Sequence, residues 1–297
     1  MDNLQKIITR DGSFSLRSDK YNENFHSSIG AISETKQKFI NPSQLQRFKN
    51  KSLIVLDICF GLGYNSAYLF NELINQPTAL SWYGLEIDKR PLKFSIEAKI
   101  FKRILDPKVN NIFHSLYKEG KFKNDFFNCS LMWGDAREEI KKIPKSINFD
   151  LIFLDGFSPQ KCPEIWSIEF LTQVKKRLSQ KGYLITYTSS AAVRKTLKDL
   201  GLNIFKIKPK DSNKKLWSNG TIATFNSDKN NSFFEDLSLM EKEHLETKAS
   251  IPYRDPNSDS SSFEILVRRK NEQLFSNRLN TNLWRKKWVM AKSNSTS

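Results

Sequence analysis

Short apolar runs alternate with helical patterning through the middle of this chain, and four successive runs end at an acid. Residues 53–56 lead into Asp57, 79–87 carry Glu86 near their end, 130–133 are followed by Gly134 and Asp135, and 149–154 run into Asp155. Apolar runs this short, bounded by turn residues, read as strands buried on both faces of a parallel sheet. A fifth strand is predicted at 182–187. Helices are predicted at 163–178, with a proline near its start, and at 190–200, stopped by Gly201. Residues 202–208 and 221–226 predict a closing strand pair joined by a basic loop. The pattern therefore implies an α/β, Rossmann-like chain: a mostly parallel sheet with a closing antiparallel strand. Residues 1–50 are a polar lead-in covering the sheet, in which 25–35 form a loop entering a helix, with Glu34 on the pocket side. Residues 51–226 are the main domain and 227–297 a polar to basic extension. The stretch 101–130 breaks the rhythm with Phe and Tyr among Lys and Arg. It is read as an insertion over the C-terminal edge of the sheet, its aromatics either stacking on unpaired bases or packing the insertion down.

The segment LIVLDICFGLGYN (53–65) sets the chemistry. A strand, a turn with Gly61 and Gly63, and a helix beginning near Asn65 make a nucleotide-binding βα unit. The third glycine of a dinucleotide fingerprint is replaced by Ser66, and the P-loop lysine is missing. An acid beside the turn repels a pyrophosphate and suits a cation. S-adenosylmethionine has a sulfonium, an ammonium and no phosphate, which matches. On this reading Asp57, Gly61, Gly63 and Asn65 frame the methionine end. Glu86, one βαβ unit on, accepts the ribose hydroxyls, and Gly134–Asp135 meets the adenine amine. Phe60 either presses on the cofactor or belongs to the core.

With 297 residues the chain can bury a full core and still carry additions. Its 48 Lys and Arg against 32 Asp and Glu leave a formal charge of +16, which favours a polyanion, nucleic acid first. A solvated lysine-rich surface is the plain alternative, and an anionic membrane ranks third. The cysteines (Cys59, Cys129, Cys162) and histidines (His26, His114, His244) lack metal-ligand spacing, so no metal is expected. No leader and no membrane-length apolar run is present, which leads to the expectation of a cytoplasmic protein with free thiols.

Several segments together resemble the methyltransferase module of the MnmC family. LDGFSPQKCPEIW (154–166) is similar to the family's aspartate–glycine–phenylalanine signature with its spaced Pro and Trp. FGLGYN (60–65) is similar to its glycine loop. TYTSSAAVRKTLKDLG (186–201) and the early FHS and GAISET segments also match, the last placing Glu34 at the motif's acid. EHLETKASIPYRDP resembles the tail of single-domain members. The likeness spans about 11–226. Cys59 stands where the family usually has Gly, and the flavin oxidase of bifunctional members has no counterpart here.

The resemblance implies a class I S-adenosyl-L-methionine-dependent methyltransferase fold. It further implies methyl transfer to the exocyclic amine of 5-aminomethyl-(2-thio)uridine at the tRNA wobble position, without flavin. The partners implied are tRNA at its anticodon region, a separate amine-generating enzyme and no membrane. Asp155 is the candidate base, acting directly or through water; its alternative is a loop-bracing Asp. Phe157 and Pro159 would form an apolar wall near the uridine. Trp166 would hold the loop or stack on the base, and Arg194 with Lys206, Lys208, Lys210, Lys214 and Lys215 could meet phosphates.

Overall fold

The structure is a computed structural model that describes residues 3–208, 219–227 and 232–293. The chain divides into two compact units, Met1–Phe157 with Lys176–Tyr187, and Ser158–Lys175 with Thr188–Ser297.

The first unit opens with a small antiparallel sheet of β1 (Leu4–Ile8), β2 (Phe14–Ser18) and β3 (Glu23–Asn24), strands that the polar lead-in did not announce. β2 buries Phe14, Leu16 and Ser18 on one face and Ser15 on the other, so only two apolar residues announce the strand. Helix α1 (Ala31–Thr35) runs on through a π-helical turn (Lys36–Ile40) into α2 (Asn41–Ser43). Then come β4 (Ser52–Ile58), α3 (Tyr64–Leu73), β5 (Ala79–Glu86), α4 (Lys89–Glu97), α5 (Lys99–Ile104), α6 (Pro107–Glu119), β6 (Lys121–Lys123), β7 (Phe127–Trp133), α7 (Ala136–Lys142), β8 (Phe149–Leu154) and β9 (Leu178–Thr186).

These strands lie in the order β9-β8-β4-β5-β7-β6, all parallel except β6, which runs antiparallel to β7. The fold is α/β with a mostly parallel sheet, as the alternating runs predict. Leu53, Val55, Leu56 and Ile58 of β4 are fully buried, which a central strand covered on both faces requires. The chain leaves β4 toward β5 and β7, then crosses to β8 and β9 on the other side. That reversal opens a crevice at the C-terminal ends of β4, β5 and β8, where ligands bind in such sheets.

The insertion differs from its expected place. Asp106 caps α6, Pro107 fills its first turn and Gly120 ends it. Val109, Ile112, Phe113 and Leu116 form one buried face at helical spacing. Phe113 meets Phe70 of α3 and Phe101 of α5 at ring distances of 6.0 and 5.4 Å. Phe101, Phe113 and Phe127 are therefore core, and base stacking on them is ruled out by burial.

In the second unit β10 (Asn203–Ile207) pairs antiparallel with both β11 (Thr221–Thr224) and β12 (Phe234–Asp236), confirming the closing pair. Helices α8 (Ile168–Lys176), α9 (Ala191–Asp199), α10 (Leu239–His244), α11 (Ser262–Phe275) and α12 (Thr281–Ser293) complete it. The helix expected over 163–178 is broken: a 3-10 turn covers Pro163–Trp166, and Ile168 N–H bonds Tyr253 carbonyl at 2.9 Å. The basic end is two helices, with Asn280 accepting from Asn282 N–H at 2.8 Å where the second begins. No helix among the described residues is long and apolar enough to cross a membrane.

Candidate active site

The turn after β4 is built around its neighbours. Gly63 caps α3 at φ +78°, and a Cβ there would lie 2.5 Å from Phe60 and 2.7 Å from Phe113. Only glycine fits that position. Cys59 adopts φ +64° without being glycine, so the loop keeps its backbone path at the position where the family has Gly. Phe60 is 5% exposed and packs edge-on against Trp82 at 5.5 Å, which places it in the core.

Glu86 braces this turn from the end of β5. Its carboxylate accepts the N–H groups of Gly61 and Ile87 at 2.7 Å and of Asp88 at 2.9 Å. Of roughly four acceptor positions on a carboxylate, three are used and one remains for a ligand hydroxyl. Burial pushes its acidity toward the neutral form against those bonds. Gly134 donates to the Glu86 carbonyl at 2.9 Å, and a side chain there would run into Glu139. Asp135 caps α7 through Arg137 N–H at 2.9 Å and pairs with the Arg137 guanidinium at 2.7 Å. The adenine contact expected of it would have to share that pairing.

Two acids stand apart from these. Asp57 is 1% exposed; one oxygen accepts the Ser66 hydroxyl at 2.5 Å, and that hydroxyl accepts from Trp82 Nε1 at 2.7 Å. The other oxygen has no partner among the described residues. Burial, and then the charges of Asp155 and Glu86, push the Asp57 carboxyl up to about 7. Asp155 follows β8 and is half-buried. It accepts from Asn65 Nδ2 at 2.7 Å, and Asn65 accepts from Thr35 Oγ1 at 2.9 Å. Loss of water around Asp155, with the charge of Glu34, pushes it up to about 7, while Lys38 opposes. Asn65 thus holds Asp155, a part the sequence reading did not give it.

The charge of Glu34 acts on Asp155. Glu34 accepts from Lys38 Nζ at 2.8 Å and from Ser27 N–H at 3.1 Å. Burial works upward on it, but Lys38 and these bonds hold it below the usual carboxylate range. Thr35, Lys38 and Trp82 were missed because their types carry no motif. Ser66 carried the one available signal, as the residue standing where a dinucleotide site needs glycine.

Phe157 is half-buried, its ring stacked on Tyr21 at 4.3 Å and met edge-on by Phe25 at 5.0 Å. Its two aromatic partners come from the N-terminal segment, which sequence spacing did not reveal. Pro159, Trp166 and Arg194 belong to the second unit. Pro159 is buried there. Trp166 is fully buried, so it holds its loop and no base can stack on it. Arg194 is 1% exposed and pairs with Glu241 at 2.9 Å, with further bonds to Thr221 Oγ1 at 2.8 Å and Gly220 carbonyl at 3.1 Å. It is a structural ion pair, which corrects the phosphate-binding expectation. Lys206 pairs with Glu235 at 3.0 Å. Lys210, Lys214 and Lys215 lie outside the described residues.

The donor set fits a cationic, phosphate-free adenosyl ligand. An orphaned buried carboxylate oxygen and three acids in electrostatic contact together favour positive charge. The comparisons agree. Residues 99–217 match the family model described as an S-adenosyl-L-methionine-dependent methyltransferase. An uncharacterized protein of Methanocaldococcus jannaschii, MJ0670, is 35% identical over 207 residues, covering 69% of this chain and 55% of that one. The tRNA 5-methylaminomethyl-2-thiouridine biosynthesis bifunctional protein MnmC of Leptospira interrogans is 28% identical over 216 residues, 67% of this chain and 33% of that one. The chain thus spans about half of one relative and a third of the other. The crystal structure of MnmC2 from Aquifex aeolicus superposes with a TM-score of 0.78 at 27% identity, covering 92% of this chain and 86% of that one. The fold is that of the S-adenosyl-L-methionine-dependent methyltransferases, and residues 99–217 match their family model. Among these enzymes the chain is MnmC methyltransferase-like, in sequence and in structure.

Proposed function

We propose that this protein methylates the exocyclic amine of 5-aminomethyl-(2-thio)uridine at the wobble position of tRNA, with S-adenosylmethionine as donor and neither metal nor flavin. The observation that carries the proposal is Asp155, pinned by Asn65 at the crevice rim with Phe157 two residues on. When bound, the donor supplies a methyl carbon on a cationic sulfur.

The chain's own residues do the rest. Asp57 and Glu34 face positive charge, Glu86 keeps one acceptor position for a ribose hydroxyl, and Asp135 and Gly134 border the adenine side. Gly61, Gly63 and Asn65 shape the turn beneath. An alkyl amine near neutral pH is mostly ammonium and has no lone pair to attack with. Asp155 takes its proton: one N–H bond breaks, the electron pair stays on nitrogen, and an O–H bond forms on the carboxylate. A carboxyl titrating near 7 suits that transfer at neutral pH. Phe157 offers the flat apolar face on which a uracil ring can lie. The charge of +16 supports a polyanionic substrate such as the anticodon region of a tRNA, with the amine supplied by a separate modifying enzyme.

The test is nucleoside mass spectrometry of tRNA bearing 5-aminomethyluridine, incubated with the protein and S-adenosylmethionine. The methylaminomethyl nucleoside should appear. Asp155→Asn should keep donor binding by calorimetry and lose most turnover. Donor binding without methylation of any such tRNA would overturn the substrate, and full activity in Asp155→Asn would overturn the base.

A further inference from the structure

Lys38 has no part in the mechanism above, yet its position ties it to Asp155. Helix α1 passes without a break into the π-helical turn, which sets Lys38 one turn beyond Glu34. Its Nζ lies 2.8 Å from Glu34 Oε1, and the Tyr187 ring lies 5.8 Å away by centroid. Thr35, the residue after Glu34, reaches Asn65, and Asn65 holds Asp155. One helical segment therefore supplies both the hydrogen-bond chain that orients Asp155 and the charges beside it. Lys38 is only 20% exposed, so water screens it weakly.

We propose that Lys38 is a positioning residue: its ammonium offsets Glu34 and favours the ionised form of Asp155, so that a larger share of Asp155 can receive the proton of the substrate ammonium. The inference rests on the reading of Asp155 as the base. The groups facing this pair come from every side. Glu34 and Lys38 come from the α1 segment, Asn65 from α3 and Asp57 from β4. His26, held neutral by burial, faces Glu34 and Lys38, and Asp11 faces His26. Glu34 and Asp155 thus share one nearby ammonium. Without it, Glu34 and Asp155 would repel each other, and the ionised form of Asp155 would lose ground.

The experiment follows the Asp155 carboxyl itself. Protein labelled with ¹³C at the aspartate carboxyls is titrated by NMR without donor, as wild type, Lys38→Met and Lys38→Arg, with Asp155→Asn assigning the signal. The Asp155 midpoint should move up by about one pH unit in Lys38→Met and return in Lys38→Arg. In turnover, kcat/KM of Lys38→Met should fall about tenfold at pH 6, with a deficit that narrows as pH rises. If Lys38→Met melts early, Lys38→Gln carries the same test. An unmoved midpoint, an Arg variant that behaves like Met, or a deficit equal at every pH would overturn the inference. A midpoint that moves in a wild-type background that methylates no tRNA would uphold the Lys38–Asp155 coupling and overturn the proposed reaction.

Discussion

Replacing Asp57 by Asn should remove a cost to the free protein that grows as pH rises toward 7, while weakening donor binding. Asp57 is 1% exposed, with one oxygen on Ser66 and the other unpartnered among the described residues. Burial first, then Asp155 and Glu86, push its folded carboxyl up to about 7. In the unfolded chain the same carboxyl titrates at about 3.9. Between those values the folded state keeps a proton that the unfolded state releases. Stability therefore falls as pH rises through this window and levels off above the folded value. Three units at about 1.4 kcal/mol each give a full cost of about 4 kcal/mol, of which about 2.5 kcal/mol accrues between pH 5 and pH 8. Asn has nearly the same shape and no charge. Its oxygen can still accept from Ser66, while its unpartnered amide costs about 1–3 kcal/mol at every pH. The readout is the pH-dependent part alone. Urea unfolding followed by tryptophan fluorescence should show the Asn variant gaining about 2.5 kcal/mol on wild type from pH 5 to pH 8. Calorimetry with S-adenosylmethionine should show a loss of about 2 kcal/mol or more in binding, some thirtyfold in affinity. A stability difference that stays flat between the two pH values, or a variant that binds donor like wild type, refutes the reasoning.

Three further outcomes follow from the same geometry. Arg194→Met should cost about 3–5 kcal/mol by leaving Glu241 charged and buried, seen as an early melt; an unchanged melt with weaker tRNA binding would restore the phosphate reading. Gly63→Ala should cost about 2–5 kcal/mol from a positive φ and contact with Phe60 and Phe113, and urea unfolding at the wild-type midpoint would disprove it. Binding of the cationic donor at pH 7 should release about one proton, shared by Asp57 and Asp155, and almost none at pH 9. Calorimetry in buffers of different ionisation enthalpy reads this directly, and zero release at pH 7 would contradict it.

What the sequence made legible was what short-range pattern controls. Strands buried on both faces are continuous apolar runs, so β4, β5 and β8 could be placed to within a few residues, with their terminal acids at one rim. The glycine turn was legible because φ above zero and close approach demand a residue type. The N-terminal sheet was not, because β2 buries only Phe14 and Leu16 as apolar residues and its turn is held by polar bonds, as between the Thr9 and Ser13 hydroxyls at 2.7 Å. Arg194 was misread for a related reason. An arginine in a basic stretch looks solvated until the distant Glu241, 47 residues on, is brought against it. Asn65 and Lys38 were opaque in the same way: their partners Asp155 and Glu34 acquire meaning only once the sheet sets them side by side.

The rim acids divide by what satisfies them. Glu86 and Asp135 are met by backbone N–H groups and by Arg137, although burial still pushes Glu86 toward its neutral form. They fix the shape of the crevice and change little when a ligand enters. Asp57 and Asp155 each have one side-chain donor and little water, so their charge is answered poorly. An unmet carboxylate destabilises the free protein, and that same deficit is what a cation relieves on binding. The two classes sit on adjacent strands because a parallel sheet delivers every strand end to one edge. A chain with an excess of sixteen positive charges therefore keeps a local negative field where its neighbours in the sheet prevent neutralisation. On the proposed function, polyanion and cationic donor would be drawn to different parts of one molecule and would meet at the rim where Asp155 stands.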